Sequence, residues 1–304
     1  MGLSTYSIFK KMVLDNEDIH MLSQEEVEQV QRVLLDMMDD IHAVCEKNGL
    51  MYVLSGGCAL GAVRHGGFIP WDDDIDVCMP RRDYDRFRDF MLAEYGDKYY
   101  VQEIRSCEKY DLNFMKVRLN GTVFAEFLEP EPEKAGIFID IFPVENVYDN
   151  PLRRKVQWIL SDGLQFICSC VRIHKKKKLL LLMAGDDKRA AGTIRTKARL
   201  GAVFGLVPFR KWLLVTEEYL SRNGNEHTRM VSIPTGGRHF RGEMYPRKWM
   251  FPPKKHRFAD RQYYFMPGIR HYLKQMYGDY MKIPPQSERE RHALRAFSLP
   301  ECTE

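Results

Sequence analysis

The chain has 304 residues, of which 44% are hydrophobic and 29% charged, with a formal net charge of +4. This is the composition of an ordinary globular protein of one large or two small domains, and it excludes a disordered or collagen-like chain. So modest a charge also argues against a dedicated nucleic-acid binder, and no nucleic-acid-binding module is recognisable.

The N-terminus, Met1–Gly2–Leu3–Ser4–Thr5–Tyr6, lacks the charged and apolar regions of a signal peptide. Tyr6 stands where an acylation signal needs Ser or Thr. The longest aliphatic run, Leu179–Met183, is far too short to span a bilayer. The expected location is therefore cytoplasmic. The seven cysteines, Cys45, Cys58, Cys78, Cys107, Cys168, Cys170 and Cys302, are odd in number and scattered, without a C-x-x-C pair. They read as reduced thiols rather than a disulfide framework or a zinc site.

Taken in chain order, Ser23-x-x-Glu26 is a capping box. Val27, Val30, Leu34, Met37, Met38, Ile41 and Val44 follow at helical spacing, and Asn48–Gly49 closes the helix. Met51–Leu54 reads as a short buried strand ending in the turn Ser55–Gly56–Gly57. Cys58–His65 reads as a short helix and Asp74–Met79 as the next strand. Pro80 ends that strand, and Asp83–Tyr95 returns to helix with Tyr84, Phe87, Phe90 and Met91 on one face. Residues 99–129 read as strands and a turn, with Asn120–Gly121 as a hairpin signal. Gly136–Pro143 is an apolar strand holding Asp140. Residues 152–223 look mostly helical. From Met230 onward the chain is rich in Gly, Pro and aromatics and reads as loops with short elements. No internal repeat is found. The expectation is an α+β fold: a mixed sheet flanked by helices (22–150), a helical elaboration (151–229) and a loop-rich C-terminal lobe (230–304), in one integrated body.

The chemistry concentrates near Ser55 and Asp76. Asp72, Asp74 and Asp76 are spaced i, i+2, i+4, which on a strand puts three carboxylates on one face. Alternation with Ile75, Val77 and Met79 marks a half-buried strand rather than a solvated acidic loop. Like charges so placed repel, and oxygen-only ligands select a hard cation such as Mg²⁺ or Mn²⁺. Asp73 points to the other face and is the least suited ligand. Asp140, inside its apolar strand, is costly without a partner. An Arg partner would explain it, and so would a third carboxylate reaching the same metal from an adjacent strand. With Asp74 and Asp76 in place, the second reading is preferred.

Ser55–Gly56–Gly57 before a helix lets backbone N–H groups approach a phosphate, although an isolated Gly–Gly is more often a plain turn. It is neither a Walker A loop nor a dinucleotide fingerprint. Arg64, His65, Arg81, Arg82, Lys116 and Arg118 are candidate cations for a diphosphate. Lys116, Arg64 and His65 are preferred, and ordinary ion pairing accounts for about half of the set. Lys175–Lys178 with the leucines beyond reads first as a solvated helix end and second as a weak contact with an anionic membrane surface. Tyr245, Trp249, Phe251, Tyr263, Tyr264 and Phe265 offer the makings of an aromatic cage for a quaternary ammonium, but packing is the preferred reading.

Several stretches together resemble the LicD family. They are Leu54–Gly57, Leu60–Gly61, Arg64–Gly66, Phe68–Val77, Met79–Asp85, Phe138–Pro143, Tyr277–Met281 and Pro284–Pro285. The resemblance runs from about Leu22 to His292, and the Trp71–Asp76 segment is its most specific part. It implies a nucleotidyltransferase-like fold and transfer of a phosphorylated alcohol, such as phosphocholine or ribitol phosphate, from a CDP-activated donor. The implied acceptors are cell-surface glycans such as teichoic acid, lipopolysaccharide or capsule. Animal relatives, fukutin and fukutin-related protein, modify a glycoprotein. By the family's motif Asp74 and Asp76 hold the metal, Asp140 matches a third carboxylate, and Asp72 is an additional participant. Ser55, Gly56, Gly57, Arg64, His65, Lys116 and Arg118 are the expected substrate-binding residues, and Asp140 or Asp72 the expected base. Two alternatives stand beside this reading. One is a nucleotidyltransferase that attaches NMP to a small molecule. The other is a non-catalytic nucleotide- or glycan-binding module, against which the repulsive acidic cluster argues.

Overall fold

The structure, a computed structural model, describes residues 20–299 except 127, 130, 290, 291 and 293, and not the side chain of residue 287. The N-terminal hexapeptide and Cys302 lie outside the described residues. The six described cysteines are free and buried.

Helix α1 (Gln24–Asn48) opens on the expected capping box: Ser23 accepts from the Glu26 N–H, and the Glu26 carboxylate accepts from the Ser23 N–H. It ends on Gly49 in the left-handed conformation, and its expected apolar positions are buried. Strand β1 (Val53–Leu54) leads directly into α2 (Gly56–Arg64), followed by β2 (Asp76–Pro80) and α3 (Arg81–Tyr95). Next come β3 (Tyr99–Gln102), β4 (Met115–Leu119), β5 (Val123–Glu126) and the long β6 (Phe138–Val147). Four helices follow: α4 (Pro151–Lys175), α5 (Lys177–Ala184), α6 (Lys188–Phe204) and α7 (Phe209–Ser221). The C-terminal part supplies β7 (Met230–Ser232), β8 (Met244–Pro246), β9 (Lys254–Phe258), β10 (Arg261–Phe265), α8 (Ile269–Tyr277) and β11 (Leu294–Ser298).

The main sheet runs β3-β4-β6-β2-β1-β10-β9, with β7 on the far half of β6 and β8 on β7. Pairing is parallel for β2–β6 and β1–β10 and antiparallel elsewhere. The α+β class with helices around a mixed sheet is as expected. Apolar side chains of α1, α2, α3 and the sheet form one core, and α4–α7 bury two smaller clusters of their own.

Three expectations need correction. The acidic strand starts at Asp76, because Pro70 and Trp71 lie in a turn and Asp72–Ile75 are extended loop. The alternation nevertheless survives: Asp73, Ile75 and Val77 are buried, while Asp72, Asp74 and Asp76 are half-buried. Asn120–Gly121 turns the chain, with Gly121 at φ 77°, but no hairpin forms. Both edges of β4 are already taken by β3 and β6, so β5 pairs with β11 instead. Finally, β9 and β10 in the loop-rich C-terminal part extend the main sheet next to β1. The aromatics pack as preferred: Tyr245, Phe251, Tyr263 and Phe265 are buried, and Trp249 stacks on His271.

Arg81, at the start of α3, fastens the helical elaboration to the sheet. Its buried guanidinium donates to Glu145 on β6 and, at 2.7 Å, to Glu217 on α7. It is a structural ion pair, whereas Arg82 is exposed beside Glu226.

Candidate active site

Strand register builds the site. Gln102, Lys116, Asp140 and Asp76 are direct neighbours across β3, β4, β6 and β2. Directly opposed residues project from the same face of a sheet, so Asp76 and Asp140 stand side by side. The Asp140 N–H donates to the Ile75 carbonyl, and the Ser55 N–H donates to the Asp76 carbonyl, both at close to 3.0 Å. These bonds lock the end of the acidic run against β6 on one flank and against the start of α2 on the other.

The paired glycines have a steric role. A Cβ on Gly56 would lie 2.2 Å from Asp76 Oδ2, and one on Gly57 would lie 2.2 Å from Asp72 Oδ2. Gly56 also takes a φ of 51°, which disfavours any side chain. The first turn of α2 therefore rests directly on two carboxylates, with no room for a methyl group. Part of the expected anion cradle is already occupied: the Gly56 N–H donates to the Tyr272 hydroxyl at 3.0 Å. Ser55 is buried, and its hydroxyl accepts from the Cys78 thiol at 3.1 Å.

The electrostatics are those of crowded carboxylates. Burial, then repulsion from the neighbouring aspartates, holds Asp72 and Asp76 well above the usual carboxylate range. Asp74 is pushed up to about 6, chiefly by burial. Asp140 is raised by burial as well, with Lys116 opposing. Asp72 Oδ2 is buried without a hydrogen-bond partner. One oxygen each from Asp72, Asp73 and Asp74 lie within 4.8 Å of one another. An orphaned carboxylate oxygen and a cluster of donors made only of oxygens fit the chemistry of a hard divalent cation. Asp73 is the poorest ligand of the run, because His292 occupies both of its oxygens.

Lys116 is at the site but not free. Its ammonium lies 3.1 Å from Asp140 and 2.9 Å from Glu126, over the Phe138 ring. Glu126 is half-buried, and despite that desolvation Lys116 and His292 hold it down to about 2. Arg118 donates to Gln102, the Gly136 carbonyl and Glu129, all protein acceptors. Arg64 closes α2 and donates to the carbonyls of Tyr280 and Lys282, in the field of Asp72. His65 stands edge-on to Trp71, whose face is covered by Arg289 at 4.0 Å.

Residue-by-residue reading missed His292, Glu126 and Tyr272. His292 is a half-buried imidazole whose pKa is raised well above its usual 6.5: desolvation opposes the charge, but Asp73, Asp74 and Glu126 outweigh it. No local pattern marks these residues. Tyr272 and His292 reach the site through long-range contacts and Glu126 through the turn after β4, and only a His in a polar run near the C-terminus hints at one of them.

Comparison with known proteins adds the following. The model of the LicD/FKTN/FKRP nucleotidyltransferase domain matches residues 49–172, a window that holds Gly56, Gly57, the acidic run and Asp140. Over 268 residues, 87% of this chain and 95% of the relative, the sequence is 29% identical to the lipopolysaccharide cholinephosphotransferase LicD of Haemophilus influenzae. A 65-residue stretch, 21% of this chain and 13% of the relative, is 38% identical to the ribitol 5-phosphate transferase FKRP of mouse and of human.

Proposed function

For a chain that carries a LicD-family domain, we propose the following activity: metal-dependent transfer of a phosphorylated alcohol from a CDP-activated donor to a hydroxyl of a cell-surface glycan or its precursor. Phosphocholine is the first candidate for the transferred group, after the relative that aligns with most of the chain. The observation that carries the reading is the Asp76–Asp140 pair across parallel strands, with Asp72 and Asp74 beside it on the glycine floor of α2.

Asp74, Asp76 and Asp140 are the proposed ligands of Mg²⁺ or Mn²⁺, with Asp72 completing the set or acting on the acceptor. Bound there, the cation supplies charge to offset that of the donor diphosphate and the departing CMP. Asp140 is tied to Lys116, so Asp72, with an unpartnered oxygen and a raised proton affinity, is the better placed base. It takes the proton of the acceptor hydroxyl as that oxygen bonds to the phosphorus carrying the alcohol, and the phosphorus–oxygen bond to CMP breaks. Lys116 keeps Asp140 charged and in place. Arg64, at the far end of α2, offers a cation to the donor's phosphates.

The test is product analysis with CDP-choline or CDP-ribitol and a glycan acceptor, with and without Mn²⁺. CMP release that needs metal and is lost in Asp74→Asn and Asp76→Asn supports the reading. Pyrophosphate release from CTP would replace it with nucleotidyl transfer, and binding without turnover would replace it with a binding module.

A further inference from the structure

The helical elaboration carries most of the exposed apolar surface. Among the described residues, ten of the fifteen exposed large apolar side chains lie between 151 and 221. The first half of α4 buries Gln157 and Ser161 against the body of the protein. Its solvent side instead carries Leu152, Val156, Ile159 and Leu160, at i, i+4, i+7 and i+8. That spacing is one continuous apolar stripe on a helix. A second strip follows α6: Arg195, Arg199 and Val203 at four-residue intervals, all exposed, and then Leu206 in the α6–α7 turn at 85% exposure. Lys211, Leu214 and Val215 continue it on α7, again exposed.

The same segment is strongly basic. Residues 151–221 hold fifteen Lys and Arg against five Asp and Glu, a net +10, so the rest of the chain is net negative. Apolar patches of this extent on a soluble surface mark an interaction site. Aliphatic side chains interleaved with Arg and Lys match an anionic lipid surface, where the tails enter the acyl boundary and the cations meet headgroups. A second copy is a poor occupant, because two such faces would set the exposed Arg195, Arg199 and Lys211 of one against those of the other. No described helix is long and apolar enough to cross a membrane, so the unit would lie on the surface.

We propose that the exposed apolar and basic strips of α4, α6 and α7 dock on an anionic lipid bilayer. Docking of this kind does not depend on the donor chemistry proposed above. The test is flotation of the full chain with vesicles of phosphatidylcholine alone and of equal parts phosphatidylcholine and phosphatidylglycerol, at low and high salt. Binding is expected only to the anionic vesicles and should weaken with salt as the charges are screened. Arg195→Glu/Arg199→Glu should lower that binding by on the order of tenfold or more. Leu152→Ser/Ile159→Ser and Val203→Ser/Leu206→Ser should each lower it about as far. All these positions are exposed, so unchanged thermal unfolding and unchanged metal-dependent CMP release with a soluble acceptor would separate lost docking from lost fold or lost catalysis. The proposal is overturned if the natural chain ignores anionic vesicles at low salt, or if all the variants bind them as well as it does. It is equally overturned if the natural chain self-associates in sedimentation and the serine variants do not.

Discussion

His292 Nδ1 lies 2.8 Å from Asp73 Oδ1, and the His292 backbone N–H donates to Asp73 Oδ2 at 3.2 Å, so one residue holds both oxygens of the middle carboxylate in the acidic run. The partners are 219 residues apart in sequence. The pair ties both Asp73 oxygens to His292 while one of them stays within 4.8 Å of oxygens of Asp72 and Asp74, and β11 on β5 brings His292 to this place. The alternation of the run is thus enforced from both sides, by apolar burial of Ile75 and Val77 and by an ion pair at Asp73.

Removing the imidazole leaves the buried Asp73 with the backbone N–H of residue 292 but without its charged partner. His292→Ala should lose about 3 kcal/mol of stability, the scale for breaking one side of a buried pair. The raised pKa of His292 fixes the pH dependence. Its contribution is full below the unfolded value of 6.5 and fades as pH rises through the folded value. Urea unfolding of both proteins across pH should show the widest gap in slightly acid solution and a narrowing gap in alkali. A gap that widens with pH would mean that the ring is neutral in the folded chain.

Gly57→Ala tests the glycine floor. Inside a helix this change usually stabilises by up to about 1 kcal/mol. Here the new methyl meets Asp72 Oδ2 at 2.2 Å, so the carboxylate must move. Displacement by about 1 Å at a reacting centre costs on the order of a hundredfold in rate. Transferase activity should fall by that scale while far-ultraviolet circular dichroism stays unchanged. Full activity in a folded variant would remove Asp72 from the chemistry.

The first helix was legible in every part, because a capping box, an apolar period and a terminal glycine are all local signals. So was the side on which Asp72, Asp74 and Asp76 lie, since alternation with Ile75 and Val77 needs no knowledge of partners. What sequence could not give was who pairs with whom. Lys116 reads as a free cation until the register places it across from Asp140 and the turn brings Glu126 to its other side. Asn120–Gly121 has the chemistry of a hairpin, but both edges of β4 are filled by strands from elsewhere, and no local rule encodes that competition. Tyr272 and His292 reach the site for the same long-range reason.

Arg81 is the structural counterpart of the site cations. Its guanidinium is buried between Glu145 and Glu217, and it joins β6 to α7. Arg81→Met keeps the bulk but leaves two buried carboxylates facing each other. The loss should be about 3–5 kcal/mol, read as a drop in the urea midpoint. Glu145→Gln/Glu217→Gln added to Arg81→Met should recover part of it. Absence of any recovery would mean that packing, not charge, is what Arg81 supplies.

At Asp76 stability and function oppose each other. Asp74, Asp76 and Asp140 all have raised folded-state pKa values, so their charges oppose folding when no cation is bound. A raised folded value means that stability is gained as pH falls. The metal-free protein should therefore become more stable from neutral pH down through about 6, where Asp74 takes up its proton, toward the unfolded value of 3.8. Asp76→Asn removes one charge outright and should raise the stability of the metal-free chain at neutral pH by about 1–2 kcal/mol. The same change should abolish transfer and the stabilisation by Mn²⁺, because a ligand stabilises only the state that binds it. Thermal unfolding of both proteins with and without Mn²⁺ reads all of this at once: the variant starts higher without metal, and the natural chain overtakes it as the cation is added. If Mn²⁺ stabilises both equally, Asp76 is not a ligand; if the variant starts lower, carboxylate repulsion is not what burdens the site.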